Sequence, residues 1–436
     1  MQDENYTVNE KGHLTIGGVD ALDLAAQFKT PLVVYDVSQI KKQIRAFQLA
    51  FEKRNVNAVV SYASKAFSAI AIYQVVNQMN AHIDVVSGGE LYTAIKANFP
   101  MKNVSFHGNN KSVEELEMAV ENKVGVIVVD NFYEIDLLSQ ILKFRSEKIK
   151  VMLRLTPNVS AHTHEYIQTG QADSKFGFDV KSNQASEALR MVLENPQMEL
   201  IGFHAHIGSQ ISAVEGFKME VQNLMKIVHK WSQDFHYQPQ VLNLGGGFGI
   251  RYTELDQVLA PEIFVNAIVD ELIDQCNKYQ LKQPAVWIEP GRSIVGPAGY
   301  SLYTIGSRKE IPDLKSYLTV DGGMGDNIRP ALYQAKYEAV LANNPKAPIK
   351  ETVHIAGRYC ESGDILIDEQ SLPETKPGDV LAILATGAYG YSMASNYNRV
   401  PRPAVVFVEN GKAQLVIKRE TYDDLTSRDC EYQKEN

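Results

Sequence analysis

Short apolar runs alternate with longer amphipathic segments between about residues 56 and 290 of the chain. The runs are bounded by Gly, Asn, Ser or Pro and are nearly continuous in apolar residues, which predicts parallel strands buried on both faces. The longer segments are predicted to be helices that cover the strands. Eight runs occur, and they begin at Val56, His82, Val104, Val124, Val151, Leu200, Val241 and Val286.

Eight strands alternating with helices over roughly 235 residues predict an α/β fold, a (β/α)8 barrel of the TIM type. An open doubly wound sheet remains an alternative, because counting strands does not show closure. One predicted helix, at 112–122, opens with Ser-x-x-Glu, which is a capping signal. The other helical segments are 132–145, 184–193, 214–232 and 261–279.

Beyond about residue 300 the pattern changes to strand-like runs without long helical intervals. This change predicts a second, C-terminal domain with a β-sandwich or barrel-like architecture. The N-terminal runs LTIGGVDA and PLVVYDV can supply strands or an entry helix to either domain. We therefore predict a barrel over residues 35–299 and a β-domain formed by residues 1–34 together with 300–436.

Composition excludes several classes of partner. With 43 Lys and Arg against 52 Asp and Glu the net charge is −9, so the chain lacks a basic field for nucleic acid or anionic lipid. The three cysteines, Cys276, Cys360 and Cys430, are too sparse for a disulfide framework. The acidic N-terminus is unlike a signal peptide, and no apolar stretch reaches the ~18 residues of a membrane span. We expect a cytoplasmic protein.

Polar residues costly to bury stand at the predicted end of every strand. Barrel enzymes build their active sites at this rim, so eight coincident strand ends predict an active site more strongly than any single residue does. We place Asp84, His107, Asp130, Arg154 and His206 on their strands. In chain order the residues are Lys65, Asp84, His107, Asp130, Arg154, His206, the glycines 245–247, and Glu289 with Arg292.

Two of these features point to a ligand. The adjacent glycines let backbone N–H groups approach an anion such as phosphate, although Ile250 stands where a dinucleotide fingerprint needs glycine. His204 and His206 share a strand face and could ligate a metal, as could His162 and His164. No further ligand set accompanies these pairs, so we predict no metal site.

A lysine at the first strand end, a glycine turn and a carboxylate at the eighth together indicate pyridoxal phosphate. The amine of Lys65 would form a Schiff base with the cofactor, and backbone amides would hold the phosphate. Glu289 would hydrogen-bond the pyridine nitrogen and keep it protonated, which favours chemistry through a carbanion.

Ten longer motifs follow one another over nearly the whole chain. They are YASKAF around Lys65, DVVSGGEL from Asp84, AHTHEYIQTG from Ala161, SKFGF from Ser174, GFHAHIGSQ from Gly202, NLGGGFG from Asn243, EPGRSIVG from Glu289, DNIRPALY from Asp326, CESGD from Cys360 and GAYGYSMASNYN from Gly387. With these motifs the chain resembles the fold-type III pyridoxal phosphate-dependent decarboxylases.

The resemblance implies a role for each matching residue. His206 would stack on the pyridine ring, and Cys360 would return a proton to the carbanion after CO2 leaves. The implied catalytic residues are Lys65, Cys360, His206 and Glu289. The implied cofactor-binding residues are Lys65, Asp84, His206, Ser209, Gly246, Gly247, Glu289, Gly291, Arg292 and Tyr389. The implied substrate-binding residues are Arg292, Arg329, Tyr333, Glu361 and Tyr389.

The reaction favoured by the resemblance is decarboxylation of meso-2,6-diaminoheptanedioate to L-lysine, in a homodimer whose CESGD loop completes the partner's active site. Arg329 favours this substrate, because the guanidinium suits a distal carboxylate. The alternatives are a sister decarboxylase of D-ornithine, D-lysine, arginine or carboxynorspermidine, and a partner-binding homologue without activity. An amino-acid racemase is disfavoured by Glu289, since racemases of this fold place an arginine there.

Overall fold

The computed structural model describes residues 6–143, 145–157 and 174–432. The AHTHEYIQTG motif, with His162 and His164, lies outside the described residues. The strands are β1 (Thr7–Val8), β2 (Leu14–Ile16), β3 (Val19–Asp20), β4 (Leu32–Asp36), β5 (Ala58–Ala63), β6 (His82–Val85), β7 (Val104–Phe106), β8 (Val126–Val129), β9 (Ile149–Thr156), β10 (Phe178–Asp179), β11 (Met198–His204), β12 (Val241–Asn243), β13 (Ala285–Ile288), β14 (Gly299–Lys309), β15 (Ser316–Val320), β16 (Ala339–Leu341), β17 (Glu351–Ala356), β18 (Ile365–Leu372), β19 (Val380–Ile383), β20 (Ala404–Glu409) and β21 (Lys412–Ile417).

The helices lie between these strands along the chain, except for α12, which follows β21. They are α1 (Ala21–Phe28), α2 (Val37–Lys53), α3 (Ile70–Gln78), α4 (Gly88–Lys96), α5 (Val113–Glu121), α6 (Phe132–Leu142), α7 (Gln184–Glu194), α8 (Glu215–Asp234), α9 (Pro261–Tyr279), α10 (Arg292–Val295), α11 (Arg329–Tyr333) and α12 (Tyr422–Thr426). In the described part of the chain, no helix has the length and apolar character needed to cross a bilayer.

One compact unit, formed by Lys41–Ile250 and Gln257–Ile294, is a closed barrel. Its parallel strands run in the order β5, β6, β7, β8, β9, β11, β12, β13, and β13 pairs with β5 to complete the ring. The predicted (β/α)8 barrel is therefore confirmed, and the open-sheet alternative is wrong.

Local sequence signals account for the elements of the barrel. All four residues of β8 are buried, as expected for a strand covered on both sides. Ser112 and Glu115 form the predicted capping box at the start of α5 through two reciprocal hydrogen bonds of 3.0 and 3.2 Å. Helix α9 begins at Pro261 and ends at Tyr279, as predicted, because proline suits the first turn of a helix.

The second compact unit contains Met1–Ile40, Arg251–Asp256 and Val295–Asn436. Its main sheet has the order β18, β17, β15, β14, β4, β20, β21, and β19 pairs with both β14 and β16. Strand β14 contributes Leu302 to one hydrophobic cluster and Tyr303 to another, because successive side chains point to opposite faces. The predicted β-domain fold is confirmed. The domain boundaries at residues 35 and 299 stay predictions.

The N-terminal runs have a defined place in this unit. LTIGGVDA supplies β2, β3 and the start of α1, and PLVVYDV supplies β4. Strand β4 pairs antiparallel with β14 and parallel with β20. The segment Arg251–Asp256 also belongs to this unit, although the sequence pattern gave no indication of it.

Candidate active site

The parallel strands of the barrel bring their carboxyl ends to one rim, where the predicted residues lie. Lys65 is exposed and lies in a 3-10 helix of one turn, Ser64–Ala66, that follows β5. Asp84 lies in β6, and Glu289 directly follows β13. The prediction that His107, Asp130 and His206 lie on their strands is wrong. Each residue lies one or two positions beyond the end of its strand, at the rim of the barrel.

Glu289 is the most densely bonded carboxylate of the rim. It is buried, and its Oε1 accepts a hydrogen bond of 2.6 Å from Nδ2 of Asn243. The Nε2 atom of His107 lies 2.9 Å from Oε1, and Nε2 of His204 hydrogen-bonds Oε2 at 3.1 Å. Three side chains from three strand ends thus fix the orientation of one carboxylate.

This environment keeps Glu289 ionised. Burial raises the pKa of the Glu289 carboxyl, but the His107 and His204 rings outweigh burial and hold the pKa well below its usual value. Burial also lowers the pKa of His204 to about 4, so its ring is neutral at neutral pH and donates through Nε2. The barrel therefore presents a buried anion with a fixed direction, which suits a protonated ring nitrogen.

Asp84 anchors the turn that carries Lys65. Its Oδ1 accepts a hydrogen bond of 3.0 Å from the backbone N–H of Ser64. Burial and the nearby charge of Glu289 raise the pKa of Asp84 well above its usual value, while Lys65 opposes this rise. Glu90 completes the anchor, because its Oε2 accepts from Oγ of Ser64 at 2.8 Å and from the N–H of Val86 at 2.7 Å.

The glycine turn after β12 packs against His206. The N–H of Gly246 donates to Nδ1 of His206 at 3.2 Å, so Nδ1 is an acceptor. Burial, reinforced by the charge of Lys65, lowers the pKa of His206 well below its usual value, which leaves the ring neutral. A Cβ on Gly246 would lie 2.2 Å from the carbonyl oxygen of Glu289, and Gly247 has φ of +103°, so side chains are excluded from the turn.

Two further predicted residues meet beside this turn. Nη2 of Arg292 donates to Oγ of Ser209 at 2.9 Å, and Arg292 is buried at the start of α10 directly after Gly291. A guanidinium, a hydroxyl and a side-chain-free backbone are the groups that hold phosphate in proteins. The residues of the barrel rim therefore fit a cofactor that combines a phosphate with a protonated pyridine ring.

Asp130 and Arg154 hold a neighbouring segment. Nε of Arg154 lies 3.8 Å from Oδ1 of Asp130, whose Oδ2 accepts from the N–H of Gly177 at 3.0 Å. The guanidinium of Arg154 also lies 4.2 Å from the centre of the Phe176 ring. Both residues thus support the SKFGF motif.

The two histidines of the H-x-H motif, His204 and His206, have different partners and do not bind one common ligand. His204 contacts Glu289 and His206 contacts the glycine turn. Among the described residues, His107, His204 and Glu289 do place one potential metal-ligand atom each within 4.8 Å of one another. The Asn243 amide already occupies one oxygen of this carboxylate.

In the β-unit, the structure brings Arg329, Tyr333 and Tyr389 together. Arg329 is buried, and its guanidinium carbon lies 5.7 Å from the ring centre of Tyr333 and 5.6 Å from that of Tyr389. The ring centre of Tyr252 lies 5.7 Å from the same guanidinium carbon, and the hydroxyl of Tyr337 accepts a hydrogen bond of 2.9 Å from Nε of Arg329. Sequence reasoning missed both of these tyrosines.

Cys360 and Glu361 are exposed in the single chain. The backbone N–H of Cys360 donates to Oδ1 of Asn398 at 3.0 Å, and the hydroxyl of Tyr397 hydrogen-bonds Oε1 of Glu361. The motif that ends in SNYN therefore fixes the CESGD loop.

Comparison with known proteins agrees with this geometry. Residues 37–296 match the family model described as the pyridoxal binding domain of pyridoxal-dependent decarboxylases. The chain is thus a pyridoxal-dependent decarboxylase, a lyase. It is 55% identical to diaminopimelate decarboxylase of Bacillus methanolicus over 94% of this chain and 95% of that protein. The identity with the enzyme of Bacillus subtilis is 54% over 97% of both chains. The chain belongs to the diaminopimelate decarboxylase family.

A solved structure supports the same assignment. The crystal structure of diaminopimelate decarboxylase from M. jannaschii in co-complex with L-lysine matches with a TM-score of 0.92 and 36% identity over 98% of both chains.

Proposed function

We propose that the chain uses pyridoxal 5'-phosphate to decarboxylate meso-2,6-diaminoheptanedioate to L-lysine and CO2. The observation that carries this proposal is the buried Glu289 carboxylate, which His107, His204 and Asn243 keep ionised at the barrel rim. The substrate follows from the family, since relatives more than half identical are diaminopimelate decarboxylases. The reaction is the last step of lysine biosynthesis, and we place it in the cytoplasm.

Different residues of the rim would bind different parts of the cofactor. Lys65 would hold it covalently through the amine, and His206 would cover one face of the ring. Ser209, Arg292 and the glycine turn would bind the phosphate. When bound, the cofactor accepts the electron pair that remains on Cα after CO2 leaves. Glu289 would hydrogen-bond the ring nitrogen and favour its protonated form, because its own low pKa leaves its oxygens as acceptors.

The β-unit supplies groups for the substrate. Arg329 and Tyr333 would bind the distal carboxylate with Tyr389 beside them, and Glu361 would bind the distal ammonium. The thiol of Cys360 would donate its proton to Cα. Cys360 and Glu361 are exposed in the single chain, which supports the proposal that the loop of one copy completes the site of another in a homodimer.

A product assay tests the function. The purified protein with pyridoxal phosphate is given meso-diaminoheptanedioate, D-lysine, D-ornithine, arginine or carboxynorspermidine, and CO2 and the amine product are measured by mass spectrometry. Lysine formed chiefly from diaminoheptanedioate supports the proposal. Preferential turnover of another substrate would overturn the substrate assignment, and no turnover of any substrate would favour a partner-binding homologue.

A further inference from the structure

Arg329 is a buried cation that is surrounded by aromatic side chains. It is 7% exposed, and among the described residues its side chain contacts one hydroxyl and three aromatic rings. Within the described part of the chain, no carboxylate forms an ion pair with its guanidinium. A charge removed from water needs compensation, and ring faces alone compensate only partly. The site is therefore arranged to accept an anion from outside the chain.

The hydroxyl of Tyr337 determines which edge of the guanidinium is free. It accepts the Nε–H of Arg329 at 2.9 Å, while neither Nη atom has a hydrogen-bond partner among the described residues. Because the guanidinium is planar, fixing Nε also fixes the plane and direction of the Nη groups. Two parallel N–H donors are thereby available for one carboxylate.

Tyr337 is itself held rigidly. It is 3% exposed and belongs to the hydrophobic cluster that contains Tyr303 and Ile305. The ring of Tyr252 meets it edge to face, with ring centres 5.3 Å apart and planes at 85°. Tyr252 contacts both Tyr337 and Arg329, so it links the orienting hydroxyl to the cation.

We propose that Tyr337, supported by Tyr252, is a positioning residue that sets the affinity of Arg329 for the distal carboxylate of the substrate. This inference rests on the proposed function, because it assigns Arg329 to that carboxylate. Tyr337 and Tyr252 would then contribute to substrate specificity. A diamine acid has no second carboxylate, so its binding gains nothing from the oriented Nη groups of Arg329.

The variant that tests the proposal is Tyr337→Phe, which removes one hydroxyl and keeps the ring. In the holoenzyme we expect KM for meso-diaminoheptanedioate to rise about 10- to 100-fold, the value of a hydrogen bond to a charged group, with kcat within about twofold. Tyr317→Phe is the matched control, because Tyr317 lies half-buried in β15, where its ring stacks on His354 and its hydroxyl has no hydrogen-bond partner among the described residues. It should leave both parameters unchanged.

A binding measurement separates this proposal from the proposed function. Heptanedioate carries both carboxylates without the amino groups, and its affinity for each holoenzyme is measured by titration calorimetry, with thermal unfolding as the check on folding. A parallel loss of affinity in Tyr337→Phe supports the positioning role even if the wild type releases no CO2. Equal KM and equal heptanedioate affinity in the two proteins would overturn it, as would a fall in kcat at constant KM or no heptanedioate binding by either protein.

Discussion

Glu220 is a buried carboxyl that the proposed mechanism does not use. It lies on α8 with 0% exposure, and neither carboxylate oxygen has a hydrogen-bond partner among the described residues. Burial, followed by repulsion from Glu289, raises its pKa well above the ordinary value of 4.5. We therefore expect the folded protein to hold Glu220 protonated at a pH where the unfolded chain has released the proton.

The consequence for stability has a definite sign and slope. Above pH 4.5 the folded state binds more protons at this residue than the unfolded state, so the free energy of unfolding falls as pH rises toward the folded pKa. The largest slope for one group is about 1.4 kcal/mol per pH unit. Glu220→Gln removes the titration and keeps the shape, so its stability advantage over the wild type should grow by up to this amount per pH unit.

Urea unfolding followed by tryptophan fluorescence measures this difference between pH 5 and 8. Both tryptophans, Trp231 and Trp287, lie in the barrel unit with Glu220, so the signal reports on the relevant unit. Glu117→Gln is the control, because Glu117 is exposed on α5. An advantage of Glu220→Gln that does not change with pH would refute the reasoning, since Glu220 would then be ionised in the folded state.

Four other variants test the site. Lys65→Ala should abolish the visible absorbance of lysine-bound cofactor, and a retained band would contradict its assignment. Cys360→Ala should keep that absorbance and lose turnover, which spectra and product assays check together. Glu289→Gln should lower decarboxylation more than cofactor binding, and equal losses would indicate a structural role. Asn243→Ala removes the 2.6 Å donor to Glu289 and should weaken cofactor binding about 10-fold in fluorescence titrations, whereas unchanged affinity would mean that the histidines suffice.

The barrel was predictable because its strands are buried on both faces. A strand such as β8 then reads as an unbroken apolar run, and turn residues mark its ends. Strand β18 is hard to predict for the opposite reason, since the polar residues Asp368, Glu369 and Gln370 interrupt its sequence. A strand exposed along much of its length lacks the pattern on which the prediction depends.

The sequence predicts which site residues lie at the strand ends, but it does not predict the contacts of their side chains. Lys65 and Glu289 follow strands directly, so the barrel topology alone brings them to one rim. The contacts of His204 with Glu289 and of Glu90 with Ser64 depend on the direction of side chains, which the sequence does not state. Tyr252 was missed because its segment lies 77 positions before Arg329 and no local pattern assigns it to the β-unit.

The place of β4 has a consequence for synthesis on the ribosome. This strand pairs with β14 and with β20, and the earlier partner begins at Gly299, which is made roughly 270 residues after Leu32. At about 5–20 residues per second, the N-terminal strand emerges roughly 15–55 s before its first partner exists. During that interval its apolar residues Val33 and Val34 have no sheet to join. The nascent chain therefore exposes an unpaired apolar strand for most of translation, a natural binding segment for a ribosome-associated chaperone.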